Sequence, residues 1–417
     1  MEDKFCICGG HLAKGYSGGR YHAWILGEAL SAGGASVTLW TNASPQYATD
    51  FEGYPGHDRI RLHVDTAFMY PPQGRFDWVI VIPDRGSSID VYERWLCLAY
   101  RCGARVALLN FESPNWFNAL SGSPADLRDW SGWTLVSRYC DLILSSAAES
   151  SRFAREFYTE VPEGCEFSAC PPAINSHVAD SVNVDVRRSQ ICVITRLSGG
   201  NFAHKGGYDL AEVIGPELKG FELVFLVGIS AVQDDVLSTL TNRANQHGVR
   251  LRFLGGADDR EKFLEIKRSR LMLFLSRFEG FGYPPVEALY CGTPCIVYEL
   301  PVLREISGDG LIYVAPGDFA ALRSEIQRVL HEDNPTRGTL RAYVSDVASF
   351  ESFVHRLTQT FRPVNKSLPI KHLALLIRFR CRLDPIRRRL RRRLSGVRRM
   401  VVRSVKGLRM SLRGLWT

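Results

Sequence analysis

The chain has 417 residues, 45% of them hydrophobic and 23% charged, a globular composition too long for one ordinary core. No apolar run approaches the roughly 18 to 20 residues needed to span a bilayer, and the opening MEDKFCIC lacks the basic start and apolar run of a secretory leader. The net charge of +8 is uneven: residues 366–417 hold seventeen Lys and Arg against the single acid Asp384, so the tail is +16 and the body −8.

In chain order, near-continuous apolar runs at 4–8, 36–41, 76–82, 104–110 and 141–146 read as strands, with amphipathic helical patterns at 20–32 and 90–101 between them. The Pro-, Asn- and Ser-rich stretch CPPAINSHVADSVNVDV reads as a linker. A second series follows, with strands at 191–195, 222–227, 250–254, 271–275, 295–298 and 311–314. Helices at 206–218, 231–247, 258–269, 285–291 and 318–331 alternate with them. Such alternation indicates parallel βαβ units with both sheet faces covered. The expected fold is therefore α/β, with two Rossmann-like doubly wound domains facing across a cleft. The expected boundaries are 1–178 for the first domain, 186–347 for the second, 348–363 for a crossover helix and 366–417 for a basic amphipathic tail. Eleven scattered cysteines with no CxxC argue for reduced core thiols in a cytosolic protein, not for a zinc or redox site.

The stretch RFEGFGYPPVEALYCGTP, residues 277–294, carries the chemistry. Glu279 falls on the loop leaving strand 271–275, and Glu287 in the first turn of a helix expected to start near Pro285 and end at Gly292. Gly280 and Gly282 let the backbone pass close to a ligand, and the helix amides over 283–287 suit an anion such as phosphate. Carboxylates are poor phosphate ligands but good acceptors for hydroxyls. One glutamate would hold the sugar of a nucleotide sugar and the other its ribose. The competing reading makes Glu287 a helix-dipole partner and Glu279 a solvated loop residue. Upstream, VITRLSGGNFAHKGGYDLAEVI sets Arg196 at a strand end and Lys205 before the next helix, a cation pair suited to a leaving diphosphate.

These residues, with FLGGADD at 253–259 and REISGDGLIYVAPGD at 304–318, resemble the second domain of family 4 glycosyltransferases, retaining enzymes of GT-B architecture. YSGGRYHAWILGEALSAGGASVTLWTN resembles that family's opening glycine loop and helix. ASFESFVHRLTQTF at 348–361 resembles its last helix, which crosses back onto the first domain. The resemblance spans roughly residues 1 to 362. It implies that Arg196 and Lys205 grip the donor diphosphate, that Glu287 binds ribose hydroxyls and that Glu279 contacts the transferred sugar beside the backbone of Phe281 and Gly282. Gly18 and Gly19 would close over the donor, and Leu254 and Gly255 would lie near the base. It further implies front-face attack without a protein nucleophile, a cofactor or a metal. Many relatives carry a histidine after the strand matching 104–110, but ALLNFESPNWFNAL has none; Asn110 and Glu112 occupy that neighbourhood on the acceptor side, with ordinary loop roles as the alternative. His11 and His22 flank the glycine loop and read as structural or exposed.

From Ile386 the tail's apolar residues recur every three or four positions, at 386, 390, 394, 397, 401, 405, 408, 412 and 415. One apolar stripe set among arginines suits an anionic membrane surface. Phe379 and Trp416 alone offer stacking faces, which argues against a nucleic-acid partner. The expectation is a cytoplasmic glycosyltransferase, peripheral on the inner face of the cytoplasmic membrane, using a nucleotide-sugar donor and a glycan or lipid-linked acceptor in bacterial surface polysaccharide assembly. The alternatives are a nucleotide-sugar epimerase of the same architecture and a non-catalytic scaffold.

Overall fold

A computed structural model describes residues 3–9, 18–45, 51–122, 124–197, 203–228, 232–331 and 337–361. The basic tail and the glycine loop ahead of Gly18, including His11, lie outside the described residues. The first sheet holds β1 (Lys4–Gly9), β2 (Ser36–Thr41), β3 (Ile60–Val64), β4 (Trp78–Ile82), β5 (Arg105–Asn110), β6 (Leu142–Ser145) and β7 (Glu166–Ala169). The second holds β8 (Gln190–Ile194), β9 (Glu222–Val227), β10 (Arg250–Gly255), β11 (Leu271–Phe274), β12 (Cys295–Tyr298) and β13 (Ile312–Val314). Their spatial orders, β3-β2-β1-β4-β5-β6-β7 and β10-β9-β8-β11-β12-β13, are the same winding carried out twice. Every pairing is parallel. The expected doubly wound α/β pair is what forms. In each sheet the order reverses between the first strand and the fourth, so a ligand crevice is expected beyond β1/β4 and beyond β8/β11.

The central strands are legible because both faces are buried: β4, β6, β11 and β12 are covered along their whole length. Sequence reading misses β3 and β7, which lie at the sheet's two edges and are mostly half-buried or exposed. The helix expected over 206–218 is broken into Asp209–Val213 and the 3-10 turn Pro216–Leu218. Pro216 drives Gly215 into an extended conformation, φ −139°, which a helix cannot absorb. Among the described residues nine cysteines are free thiols, as expected, but Cys97 is disulfide-bonded. No helix among the described residues is long and apolar enough to cross a membrane.

The two domains share a core. One cluster of buried side chains runs from Phe5 and Trp40 of the first domain to Phe281 and Val286 of the second. The last helix, Phe350–Thr360, packs on the helix Gly18–Ala32. Just beyond it, the Phe361 ring meets Phe5 at 5.3 Å and Trp78 at 5.0 Å, edge to face. The chain thus returns to the first domain after completing the second. Across the interface, Glu305 of the second domain accepts from the Ala148 and Glu149 amides, 2.6 and 2.9 Å, at the start of the first domain's helix Ala148–Phe157. Those amides have no intrahelical partner, so a carboxylate there satisfies two donors and the helix dipole together.

Candidate active site

The site grows from the ends of β8 and β11. Arg196, two residues past β8, is exposed. Residues 203–206, ahead of the next helix, are pinned at several points. Thr195 Oγ1 donates to the Lys205 carbonyl at 3.0 Å, and the Arg277 amide donates to the His204 carbonyl at 2.7 Å. Gly206 has φ +74°, and a Cβ there would lie 2.2 Å from the Leu275 carbonyl oxygen. Only glycine lets this loop seat on the end of β11. The Arg277 guanidinium holds Asp209 from below at 2.7 Å. Lys205 is thereby delivered to Glu279: Nζ lies 2.6 Å from Oε1 and 3.3 Å from the Phe278 carbonyl. Both side chains keep solvent access, at 23% and 13%. Burial, and then the charges of Lys205, Arg196 and Arg85, push the His204 imidazole down to about 3. Of the three charges acting on His204, two come from the second domain and one from the first.

The loop carrying Glu279 touches the first domain directly. A Cβ on Gly280 would lie 2.5 Å from the Phe111 carbonyl oxygen, and Ser146 Oγ donates to the Gly280 carbonyl. Gly282 sits at φ +93° before the helix Tyr283–Tyr290, with Leu303 filling the place of a side chain. The expectation of amides facing an anion over 283–287 fails here. Pro284 and Pro285 have no N–H, and the Val286 amide is used by the Gly282 carbonyl. Ahead of that turn the segment offers the amides of Phe281 and Gly282. Phe281 itself is buried, its ring edge-on to Tyr283 at 5.0 Å.

Glu287 stands one turn into that helix and is 1% exposed. Its Oε1 accepts from Lys262 Nζ at 2.6 Å, and the same ammonium reaches Asp259 Oδ1 at 2.7 Å. Asp259 Oδ2 accepts from Asn175 Nδ2 at 2.8 Å, and Asn175 Oδ1 accepts from Tyr54 OH at 2.7 Å. Burial raises the Glu287 carboxyl above the ordinary range, with Asp259 adding to the rise and Lys262 opposing it. Sequence reasoning missed Lys262, Asp259, Asn175 and Tyr54. A signal existed: Asp259, Lys262 and Ile266 fall on one helix face, and a lysine on a face that also carries buried apolar residues needs a buried partner.

The remaining expected residues divide cleanly. Gly18 and Gly19 open the helix Gly18–Ala32, where Cβ atoms would lie 3.5 Å from the Tyr283 ring and 3.4 Å from the Phe111 ring. Gly18 therefore meets the Glu279–Glu287 segment across the cleft, whereas Gly19 faces Phe111 of its own domain. Leu254 and Gly255 close β10, at the same carboxyl edge as Arg196 but beyond β9. Asn110 is fully buried, donating to Ser145 at 3.1 Å and accepting from Tyr158 at 3.2 Å, so it belongs to the core. Glu112 keeps partial exposure and pairs with Arg85 at 2.6 Å. Arg85, missed in the sequence, is held over the Phe117 and Trp130 rings at 4.4 and 4.0 Å. His22 is buried, pushed down to about 3 by burial, and its Nε2 has no hydrogen-bond partner among the described residues. No group of three or more His, Cys, Asp or Glu among the described residues is placed to hold a metal ion.

Residues 218–345 match the family described as glycosyl transferases group 1. The chain is 32% identical over 111 residues to the O-antigen chain mannosyltransferase B of Escherichia coli, covering 27% of this chain and 29% of the relative. It is 28% identical over 172 residues to a phosphatidyl-myo-inositol mannosyltransferase of Mycobacterium leprae, covering 37% of this chain and 44% of that one. The chain spans less than a third of the length of these O-antigen chain and serotype-specific mannosyltransferases. Among solved structures, sucrose-phosphate synthase from Thermosynechococcus elongatus superposes with a TM-score of 0.66 at 16% identity, covering 87% of this chain and 98% of that one. Anabaena HepE, solved with UDP and glucose, gives 0.63 at 13% identity, with 86% and 99% covered. The chain has the two-domain GT-B architecture, and its second domain carries the glycosyl transferases group 1 match.

Proposed function

We propose that the chain is a retaining glycosyltransferase of the family 4 kind, which moves a sugar from a nucleoside-diphosphate sugar to a glycan or lipid-linked acceptor in bacterial surface polysaccharide assembly. The observation that carries this reading is the Lys205–Glu279 pair, still open to solvent beyond the β8/β11 switch point, where the chain leaving β8 also carries Arg196. An arriving diphosphate competes with Glu279 for Lys205, and the released carboxylate then faces the sugar hydroxyls. Arg196, Lys205 and the amides of Phe281 and Gly282 stabilise the charge that develops on the leaving diphosphate. The anomeric carbon–oxygen bond breaks toward phosphate while the acceptor oxygen attacks from the same face. The acceptor proton passes to a donor phosphate oxygen. Glu279 acts as a sugar contact and not as a nucleophile, and no step calls for a metal.

Glu287 takes the ribose hydroxyls, Leu254 and Gly255 flank the base, and Gly18 and Gly19 cover the donor from the first domain. Of the two acceptor-side candidates, Glu112 is favoured, because Asn110 is consumed in the core. The +16 charge of residues 366–417 supports attachment to an anionic membrane at its inner face, where a lipid-linked acceptor would be met. Relatives named as mannosyltransferases make mannose the first sugar to test.

The test is mass-resolved product analysis with UDP-, GDP- and dTDP-sugars, with and without bacterial lipid extract, beside a Glu279→Ala control. Nucleoside diphosphate released only when one donor and lipid are both present supports the reading. An isomerised donor without release would favour an epimerase, and the absence of turnover and nucleotide binding would leave a scaffold. Deleting 366–417 should keep nucleotide binding and abolish sedimentation with anionic liposomes; retained sedimentation would remove the membrane role.

A further inference from the structure

Glu287 presents a problem that the proposed function does not resolve. A carboxylate that is 1% exposed, on a helix packed between two domains, loses its hydration and so resists ionisation, yet a neutral carboxyl is a weaker acceptor for ribose hydroxyls. The structure places one cation against it. Lys262 reaches Glu287 at 2.6 Å and Asp259 at 2.7 Å, and its ammonium also lies 5.7 Å from the centre of the Tyr21 ring in the first domain.

We propose that Lys262 is the positioning residue of the ribose-binding carboxylate, holding Glu287 ionised and fixing which of its oxygens faces the ligand. This rests on the assignment of Glu287 to the ribose in the proposed function. Lys262 takes Oε1, and Oε2 is the oxygen that a ribose hydroxyl uses. Asp259 supplies the second negative charge that keeps the ammonium in place. Asp259 is itself held by Asn175 of the interdomain linker, which Tyr54 of the first domain holds in turn. The carboxylate that reads the donor is therefore anchored in both domains, and its orientation depends on their relative placement.

The other groups around Glu287 leave this assignment to Lys262. On the helix Asp259–Arg268, Lys262 and Asp259 are the charged side chains at Glu287. From β8 and from the end of its own helix come the thiols of Cys192 and Cys291, which burial keeps protonated. Toward the helix Arg337–Ala342, Arg341 is engaged by Asp180 at 2.9 Å, and Tyr290 donates to Asp180 at 2.8 Å.

The experiment measures binding by the full chain of UDP and GDP, and then of the 2′,3′-dideoxy form of whichever binds, across pH 5 to 9 by titration calorimetry. The variants are Lys262→Met with Asp259→Asn, which removes the cation without leaving two bare carboxylates, and Lys262→Arg. The double variant should bind the ribonucleotide about tenfold or more weakly near neutrality and the dideoxy form as before. The pH at which ribose-dependent affinity is half lost on acidification should move up by about one unit or more, because a contacting opposite charge shifts a carboxyl by about 1–3 units. Lys262→Arg should keep the unaltered profile. Equal weakening of both nucleotides would show a merely structural role and overturn the proposal. So would an unchanged profile in the double variant, or a loss in Lys262→Arg as large as in the double variant. Failure of the unaltered protein to bind any of these nucleotides would overturn the proposed function itself.

Discussion

Two lysine–glutamate pairs lie along the same segment and have the same 2.6 Å contact, yet their surroundings set them to different tasks. Lys205–Glu279 sits on loops beyond the strand ends, where water and ligands reach both partners. Lys262–Glu287 sits on two packed helices, 6% and 1% exposed, inside a hydrogen-bonded chain that crosses the domain boundary. An open pair exchanges partners at little cost, since exposed ion pairs contribute about 0–1 kcal/mol. A sealed pair cannot exchange, because removing either member strands a charge without water. Identical distances therefore say little about role; solvent access separates a lysine that can leave its carboxylate for a ligand from one that stays to hold its carboxylate in place.

The contrast can be broken from either side. Lys262→Ala should have the largest effect on stability, lowering it by about 3–5 kcal/mol through the uncompensated Glu287 and Asp259 carboxylates, read as a drop in the urea midpoint. Lys205→Ala should instead leave the urea midpoint within about 1 kcal/mol while transfer falls by about 10²–10³-fold, the usual loss when one donor to a developing charge is removed. Comparable stability losses in the two variants would erase the distinction.

Protons offer a third route. His22, in the sealed interface beside Phe111 and Phe353, is held near 3 in the folded chain against an ordinary value of 6.5. The unfolded chain takes up that proton as pH falls through 6.5, and the folded chain does not until about 3. Stability is therefore full above 6.5 and declines between the two values, by on the order of a few kcal/mol. His22→Phe should remove part of this acid limb in urea titrations at pH 7 and pH 4, leaving the share of His204, whose imidazole is displaced in the same direction beside the open pair. An undiminished limb would show that His22 is not its source. Glu305→Ala should have the smallest effect, about 1 kcal/mol for a lost helix cap, seen in thermal unfolding and absent from nucleotide affinity.

What the sequence made legible follows the same division. Strands such as VIVI at 79–82 and CIVY at 295–298 declare themselves because burial on both faces demands continuous apolar side chains. Edge strands IRLHV and EFSA carry no such demand and were passed over. Lys205 and Glu279 were each readable because they sit on glycine-flanked loops that mark strand ends, but their contact with each other was not. The sealed pair was only half readable: Glu287 showed in the motif, but its partner lies 25 residues upstream, and Asn175 and Tyr54 are separated by 121 residues. Helix packing chooses those partners, and no local spacing encodes them. The prolines at 284 and 285 were in plain view and already ruled out an amide cradle beyond Tyr283.

The Glu305 carboxylate that bridges to Ala148 and Glu149 gives the cleft a latch with a built-in reporter. Any swing that parts the two domains enough to admit a large acceptor withdraws both carboxylate oxygens at once and exposes two amide protons to solvent. Hydrogen–deuterium exchange at those two amides would then count openings directly, without substrate, label or knowledge of the chemistry. Donor binding that shuts the cleft should slow both positions together, and unlinked rates would mean that the domains never part along this edge.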